Sequence, residues 1–214
     1  MSQVKGLCVM DVDGTLLLEE VIDLLGREAG REEEISLITS RAMRGELDFE
    51  TSLRERVALL KGLPDSVFDT VFNSIHLSPN AQKFISILQK NGILVGLVSG
   101  GFIPIVDRLA KSLGIAHFSA NQLEVKDGFL TGKSVGEIVT AQVKKATLEK
   151  WRMELEIPRE RTIAIGDGAN DLLMLKSAGI SIAFCAKEIV KVEIACHVDT
   201  RDLLEVLPLI DFLE

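Results

Sequence analysis

The chain has 214 residues, with 24 basic against 32 acidic side chains for a net charge of −8, and 47% of its residues are hydrophobic. That length suits one large α/β domain or one domain with a substantial insertion, and the apolar share is ample for a buried core. No Tyr, one Trp and 5% aromatic residues argue against the stacking surface of a single-stranded nucleic-acid binder, and the negative charge repels DNA on average.

The three cysteines, Cys8, Cys185 and Cys196, follow no ligand spacing and read as reduced thiols of a cytoplasmic protein. No cationic leader precedes an apolar stretch, and no apolar run reaches membrane-spanning length. A soluble chain with no membrane and no nucleic-acid partner is expected, as monomer or homodimer.

The first apolar run is Leu7, Cys8, Val9 and Met10, and Asp11-Val12-Asp13-Gly14-Thr15 follows directly. A buried strand should end there. Residues at i and i+2 of an extended chain share a side, so Asp11 and Asp13 are expected to converge and to need a proton, a cation, or both. An EF-hand does not fit, because its sixth and twelfth positions, counted from Asp11, are Leu16 and Ile22.

From residue 19 to about residue 75 no strand is legible. Helical pieces are punctuated by Gly30, Gly45, Gly62 and Pro64, with apolar stripes at Phe49, Leu53, Val57 and Leu60 and at Val67, Phe68, Val71, Phe72 and Ile75. The expected fold is therefore a doubly wound, mostly parallel α/β sheet with a small helical cap inserted after the first strand. Residues 1–16 and 77–214 would form the α/β core and 17–76 the cap. Further buried strands are predicted at 93–98, 162–165 and 180–184, separated by helices that include 81–91, 105–113 and 172–178. Alternating residues around Asp127-Gly128 predict a hairpin over 123–130.

In such a sheet, functional groups gather beyond the carboxyl ends of the strands. Asp11 and Asp13 follow the first. Ser99-Gly100-Gly101-Phe102 follows the run at 93–98, and Gly166-Asp167-Gly168-Ala169-Asn170-Asp171 follows the run at 162–165. Carboxylates, a hydroxyl and backbone N–H groups are the parts needed to hold a hard cation and a phosphate. Asp11 reads as a nucleophile that forms an aspartyl-phosphate, and Asp13 as the acid and then the base. Magnesium would lie between Asp11, the chain at Asp13, and Asp167, with Asp171 behind them. Ser99 and the N–H groups of Gly100 and Asn170 could take phosphoryl oxygens, and Lys144 is the candidate fixed cation.

These residues resemble the haloacid dehalogenase superfamily pattern: DxDx[TV] at Asp11, Asp13 and Thr15, then Ser99, Lys144, and the GDxxxD element at Asp167 and Asp171. Within it, the chain resembles the phosphoserine phosphatases through Glu20, Arg56, the run from Ser99 to Phe102, the Lys126-Asp127-Gly128 turn, and Ala183, Phe184, Ala186 and Lys187. That resemblance implies hydrolysis of O-phosphoserine in serine biosynthesis, with Glu20 on the substrate ammonium and Arg56 on its carboxylate. It also implies that Met43 and Phe49 close over the site. The chain departs from the usual pattern at Gly14, commonly Ser, and at Lys145, often a small residue.

Other readings stand beside these. Arg56 borders an apolar stripe, as a snorkelling arginine does, and Glu20 suits a helix N-terminus for its dipole alone. The same chemistry on another small phosphorylated metabolite, or transfer to an alcohol such as homoserine, is the nearest alternative. A phospho-accepting signalling module uses similar groups in about half the length and without a cap.

Overall fold

A computed structural model describes residues 4–211, the Met43 side chain apart. Its centre is a seven-stranded sheet in the order β4-β3-β2-β1-β5-β6-β7. The strands are β1 (Gly6–Met10), β2 (Ile93–Phe102), β3 (His117–Lys126), β4 (Phe129–Val135), β5 (Thr162–Gly166), β6 (Ile180–Phe184) and β7 (His197–Val198). Only β3 and β4 pair antiparallel; β1 pairs in parallel with both β2 and β5. The doubly wound α/β architecture expected from the sequence is the one observed.

Side-chain alternation along β1 explains the layering. Leu7 and Val9 join one buried cluster with Leu148, Trp151, Met174, Leu175 and Val190. These come mostly from α7 (Ala141–Glu154), α8 (Leu172–Ser177) and α9 (Glu188–Glu193). Cys8 and Met10 face the opposite way, against Phe84, Ile85, Val106 and Leu109 of α5 (Ala81–Lys90) and α6 (Ile103–Ser112).

Between β1 and α5 stand α1 (Val21–Glu28), α2 (Glu32–Met43), α3 (Phe49–Ala58) and α4 (Val67–Ser74). Buried residues of this helical segment, among them Val21, Leu25, Leu53, Val57, Phe68 and Val71, continue the cluster that covers the Met10 face. The segment also touches the hairpin β3–β4. Gly62 N–H donates to Leu130 O at 2.9 Å, Leu130 N–H to Leu63 O at 2.8 Å, and Asp65 N–H to Gly128 O at 2.9 Å. Pro64 and Phe129 form a bridge there. The hairpin turns on Asp127 and Gly128 at φ 52 and 80, the left-handed pair that an Asp-Gly turn supplies.

Two boundaries differ from the sequence reading. β2 runs on to Phe102, because after a bulge Phe102 pairs with Asn121; α6 then starts at Ile103, with Pro104 in its first turn. Ser99, Gly100 and Gly101 thus lie in the bulged end of a strand. β3 also begins earlier than the expected hairpin, pairing first in parallel with β2 from His117. Among the described residues, no helix is long and apolar enough to cross a membrane.

Candidate active site

The site is built where β1 and β5 end side by side. Asp11 N–H continues the ladder by donating to Ile165 O at 2.9 Å, which fixes the first carboxylate at the carboxyl end of the central strand. Lys144 reaches it from α7 with its side chain fully buried, 0% exposed. Its Nζ donates to Asp11 Oδ1 at 2.6 Å and to Asp171 Oδ1 at 2.7 Å. The second Asp171 oxygen accepts the N–H groups of Asp167 and Gly168 at 3.2 and 3.0 Å. Thr15 Oγ1 donates to Asp167 Oδ1 at 3.1 Å.

Asp11, Asp167 and Asp171 are all buried, and each offers an oxygen within 4.8 Å of the others. Burial raises Asp11 well above the usual carboxylate range, Asp171 adds to the rise, and Lys144 opposes it. Burial, then Asp171, lifts Asp167 to about 6. For Lys144, burial alone would lower the pKa, but Asp11 and Asp171 outweigh it and the ammonium is held more firmly than usual. Three carboxylates crowd one ammonium here, and a divalent cation among these hard oxygen donors would offset the repulsion that lifts Asp11 and Asp167.

The sequence reading set magnesium between Asp11, the chain at Asp13 and Asp167, with Asp171 behind them; here Asp171 offers an oxygen beside those of Asp11 and Asp167, and the Asp13 carboxylate turns toward Gly101. Asp13 Oδ2 and Ser99 Oγ lie 2.7 and 2.9 Å from where a Cβ on Gly101 would stand, so only a glycine there lets both approach. Ser99 Oγ accepts Gly101 N–H at 2.8 Å. Asp13 Oδ1 is buried and has no hydrogen-bond partner among the described residues. Burial raises the Asp13 pKa well above normal, Glu20 adds to this, and Lys144 and the Val21 N–H oppose it. Gly14 has φ +72, and a Cβ there would lie 2.9 Å from Asp167 Oδ2. A serine at that position would be strained and would press on Asp167.

The remaining expected residues arrange themselves around this floor. Phe49, on α3, places its ring tip 3.1 Å from where a Gly100 Cβ would stand. Arg56 is two turns further along the same helix face; it is half-buried and its Nε donates to Ser52 O at 3.2 Å. Burial lowers the Arg56 pKa, while Glu20, Asp23 and Asp13 oppose that shift. Glu20 sits at the N-terminus of α1 and keeps access to solvent, yet crowding by protein raises its pKa against Lys187 and Arg56. Asn170 is half-buried in the short turn at 169–171, folded over Gly168. The expectation for Met43 falls on a side chain outside those described.

Sequence reasoning assigned nothing to Asn121. This buried residue donates from Nδ2 to Gly100 O at 2.7 Å and accepts Val139 N–H at 2.8 Å, which pins the Gly100 bulge to the loop before α7. Nothing in the local sequence marked it, since no strand was legible just before residue 123.

Fold and site define a hydrolase with an acidic, cation-ready centre and a lysine-held carboxylate at the end of a parallel sheet. The haloacid dehalogenase-like hydrolase family model matches residues 8–176, and the chain belongs to that family. It is 58% identical over 211 residues to a phosphoserine phosphatase of Streptococcus thermophilus, covering 99% of this chain and 98% of that one. Two solved structures, a phospho-aspartyl intermediate analogue of phosphoserine phosphatase and a substrate-bound phosphoserine phosphatase complex, each superpose with a TM-score of 0.92. Each is 44% identical, and 97% of this chain and 99% of the other are covered.

Proposed function

We propose that the protein hydrolyses O-phosphoserine to serine and phosphate through an aspartyl-phosphate on Asp11. The observation that carries this reading is the pairing of a lysine-held Asp11 with an Asp13 oxygen that is buried yet unpartnered, in a chain 58% identical to a phosphoserine phosphatase. Asp11 attacks phosphorus while the bond to the seryl oxygen breaks, and Asp13, whose proton burial favours, gives that proton to the oxygen. Asp13 then takes a proton from the water that attacks the phosphoenzyme, which frees Asp11 and phosphate. Ser99, the N–H groups of Gly100 and Asn170, and Lys144 bind the phosphoryl oxygens.

Asp11, Asp167 and Asp171, with the backbone at Asp13, would hold magnesium, which supplies the positive charge that offsets repulsion between carboxylate and phosphate. Glu20 takes the substrate ammonium and Arg56 its carboxylate, by bidentate pairing. Residues 17–76 act as a lid on the core formed by 1–16 and 77–214, with Met43 and Phe49 closing over the substrate and excluding water. Three free thiols support a cytoplasmic location.

The test is phosphate release from O-phosphoserine, O-phosphothreonine and sugar phosphates, with magnesium and with chelator. O-phosphoserine should lead in kcat/KM by at least about tenfold, equivalent to about 1.4 kcal/mol, and chelation should abolish turnover. A preferred sugar phosphate would overturn the substrate assignment, and undiminished activity in chelator would overturn the metal requirement.

A further inference from the structure

The chain enters and leaves the helical segment through two stretches that run side by side. Leu17 and Leu77 form an antiparallel bridge. Leu18 N–H donates to His76 O at 3.0 Å, and Ser78 N–H to Leu16 O at 2.8 Å. The Ser78 hydroxyl donates to Thr15 O at 2.6 Å. Glu19 closes the outer end of this short ladder: its Oε2 accepts His76 N–H at 2.9 Å, and its Oε1 lies 2.7 Å from His76 Nδ1. One carboxylate thereby grips both the backbone and the ring of the residue opposite.

A surface pair of this kind is worth little as an attraction, because water screens it and side-chain order opposes it. Its geometry matters more. Glu20, the next residue, is extended at φ −93 and ψ 117, and neighbouring side chains of an extended chain point to opposite sides. With Glu19 anchored on His76, Glu20 is turned away from the ladder just before α1 begins. The same ladder starts beside Thr15, whose hydroxyl holds Asp167, so it links the metal-ready floor to the residue read as the ammonium ligand.

We propose that Glu19 is a positioning residue for substrate recognition: by gripping His76 it fixes the direction in which Glu20 faces. The proposal rests on the assignment of Glu20 to the substrate ammonium. It concerns recognition and leaves the phosphoryl-transfer groups untouched.

The experiment measures kcat and KM for O-phosphoserine in Glu19→Ala, Glu19→Gln, Glu20→Ala and the double variant Glu19→Ala/Glu20→Ala. The comparison substrate is p-nitrophenyl phosphate, which has neither ammonium nor carboxylate. Glu19→Ala should raise KM for O-phosphoserine about tenfold while kcat/KM for the aryl phosphate stays within about twofold. Glu19→Gln, whose amide oxygen still accepts the His76 N–H, should stay within about threefold of wild type. The double variant should be no worse than Glu20→Ala alone, the non-additivity expected when one residue acts through the other.

His76→Ala spares the backbone contact, so it should raise the same KM by a smaller factor, and it stands in if Glu19→Ala does not fold. Equal losses on both substrates, additive losses in the double variant, or no rise in KM with either Glu19→Ala or His76→Ala would overturn the proposal. If Glu20→Ala raises KM and Glu19→Ala does not, this inference alone fails. If Glu20→Ala leaves KM unchanged, the recognition assignment falls and takes this inference with it.

Discussion

The end of the sheet and the helical segment above it handle charge in opposite ways. At the sheet, Lys144 is fully buried between Asp11 and Asp171, and the second Asp171 oxygen is held by two backbone N–H groups. In the helical segment, Glu20 is open to solvent and Arg56 donates to the Ser52 carbonyl of its own helix. Groups that must not move during chemistry are enclosed and mutually tied. Groups read as substrate ligands are left with bonding capacity to spare, so a substrate adds contacts without first displacing many.

Four changes break or sharpen that contrast. The largest effect is expected from Asp11→Asn, which removes the nucleophile while keeping its shape: kcat for O-phosphoserine should fall at least about 1,000-fold. Retention of a substantial fraction of activity would exclude Asp11 as nucleophile. Next is Lys144→Ala, which strips the ammonium from two buried carboxylates. Urea unfolding in chelator should show a loss of about 3–5 kcal/mol, and a loss below about 1 kcal/mol would place the cluster in contact with solvent.

Arg56→Ala tests the other region. Losing a charged hydrogen-bonding partner of about 1.5–3 kcal/mol should raise KM for O-phosphoserine about 10- to 100-fold and leave unfolding free energy nearly unchanged. Equal damage on a substrate without a carboxylate would count against its assignment. The smallest effect is a slope with pH. The folded-state pKa of Asp167 is about 6 against an ordinary 3.8, so between those values the folded chain holds a proton that the unfolded chain has lost. Stability from this group is therefore greatest below about pH 4, falls as pH rises to about 6, and is level above. The difference in unfolding free energy between wild type and Asp167→Asn, measured in chelator across that window, should follow the same curve; a flat difference would contradict the raised pKa.

What the sequence made legible was local. Short apolar runs ending in Asp, Ser-Gly-Gly or Gly-Asp marked the strand ends, because a buried parallel strand is apolar on both faces and must stop at polar turn residues. The Asp-Gly turn was equally plain. Partnerships across long separations were not. Lys144 sits 133 residues from Asp11 and 27 from Asp171, and on its own helix nothing distinguishes it from a solvated lysine. Asp171 was placed behind the metal set, but its bond to Lys144 was not legible from spacing. The first half of β3 was hidden because His117, Phe118, Ser119 and Asn121 pair with β2 only briefly before the strand takes an antiparallel partner from Gln122. At two residues, β7 is too short to show a period. Asn121 carries a structural hydrogen-bond pair that no motif would flag.

The contact between residues 62–65 and the hairpin tip has a kinematic consequence. A body fastened only by two adjacent chain connections can swing like a door, but this one has a third fastening far from them: three backbone hydrogen bonds from Gly62, Leu130 and Asp65. An opening that spares those bonds takes one of two forms. Either α1 and α2 move while α3 and α4 stay docked, or the hairpin travels with all four helices. The first form would twist the helical layer between α2 and α3, and the second would bend the chain where β3 leaves its pairing with β2.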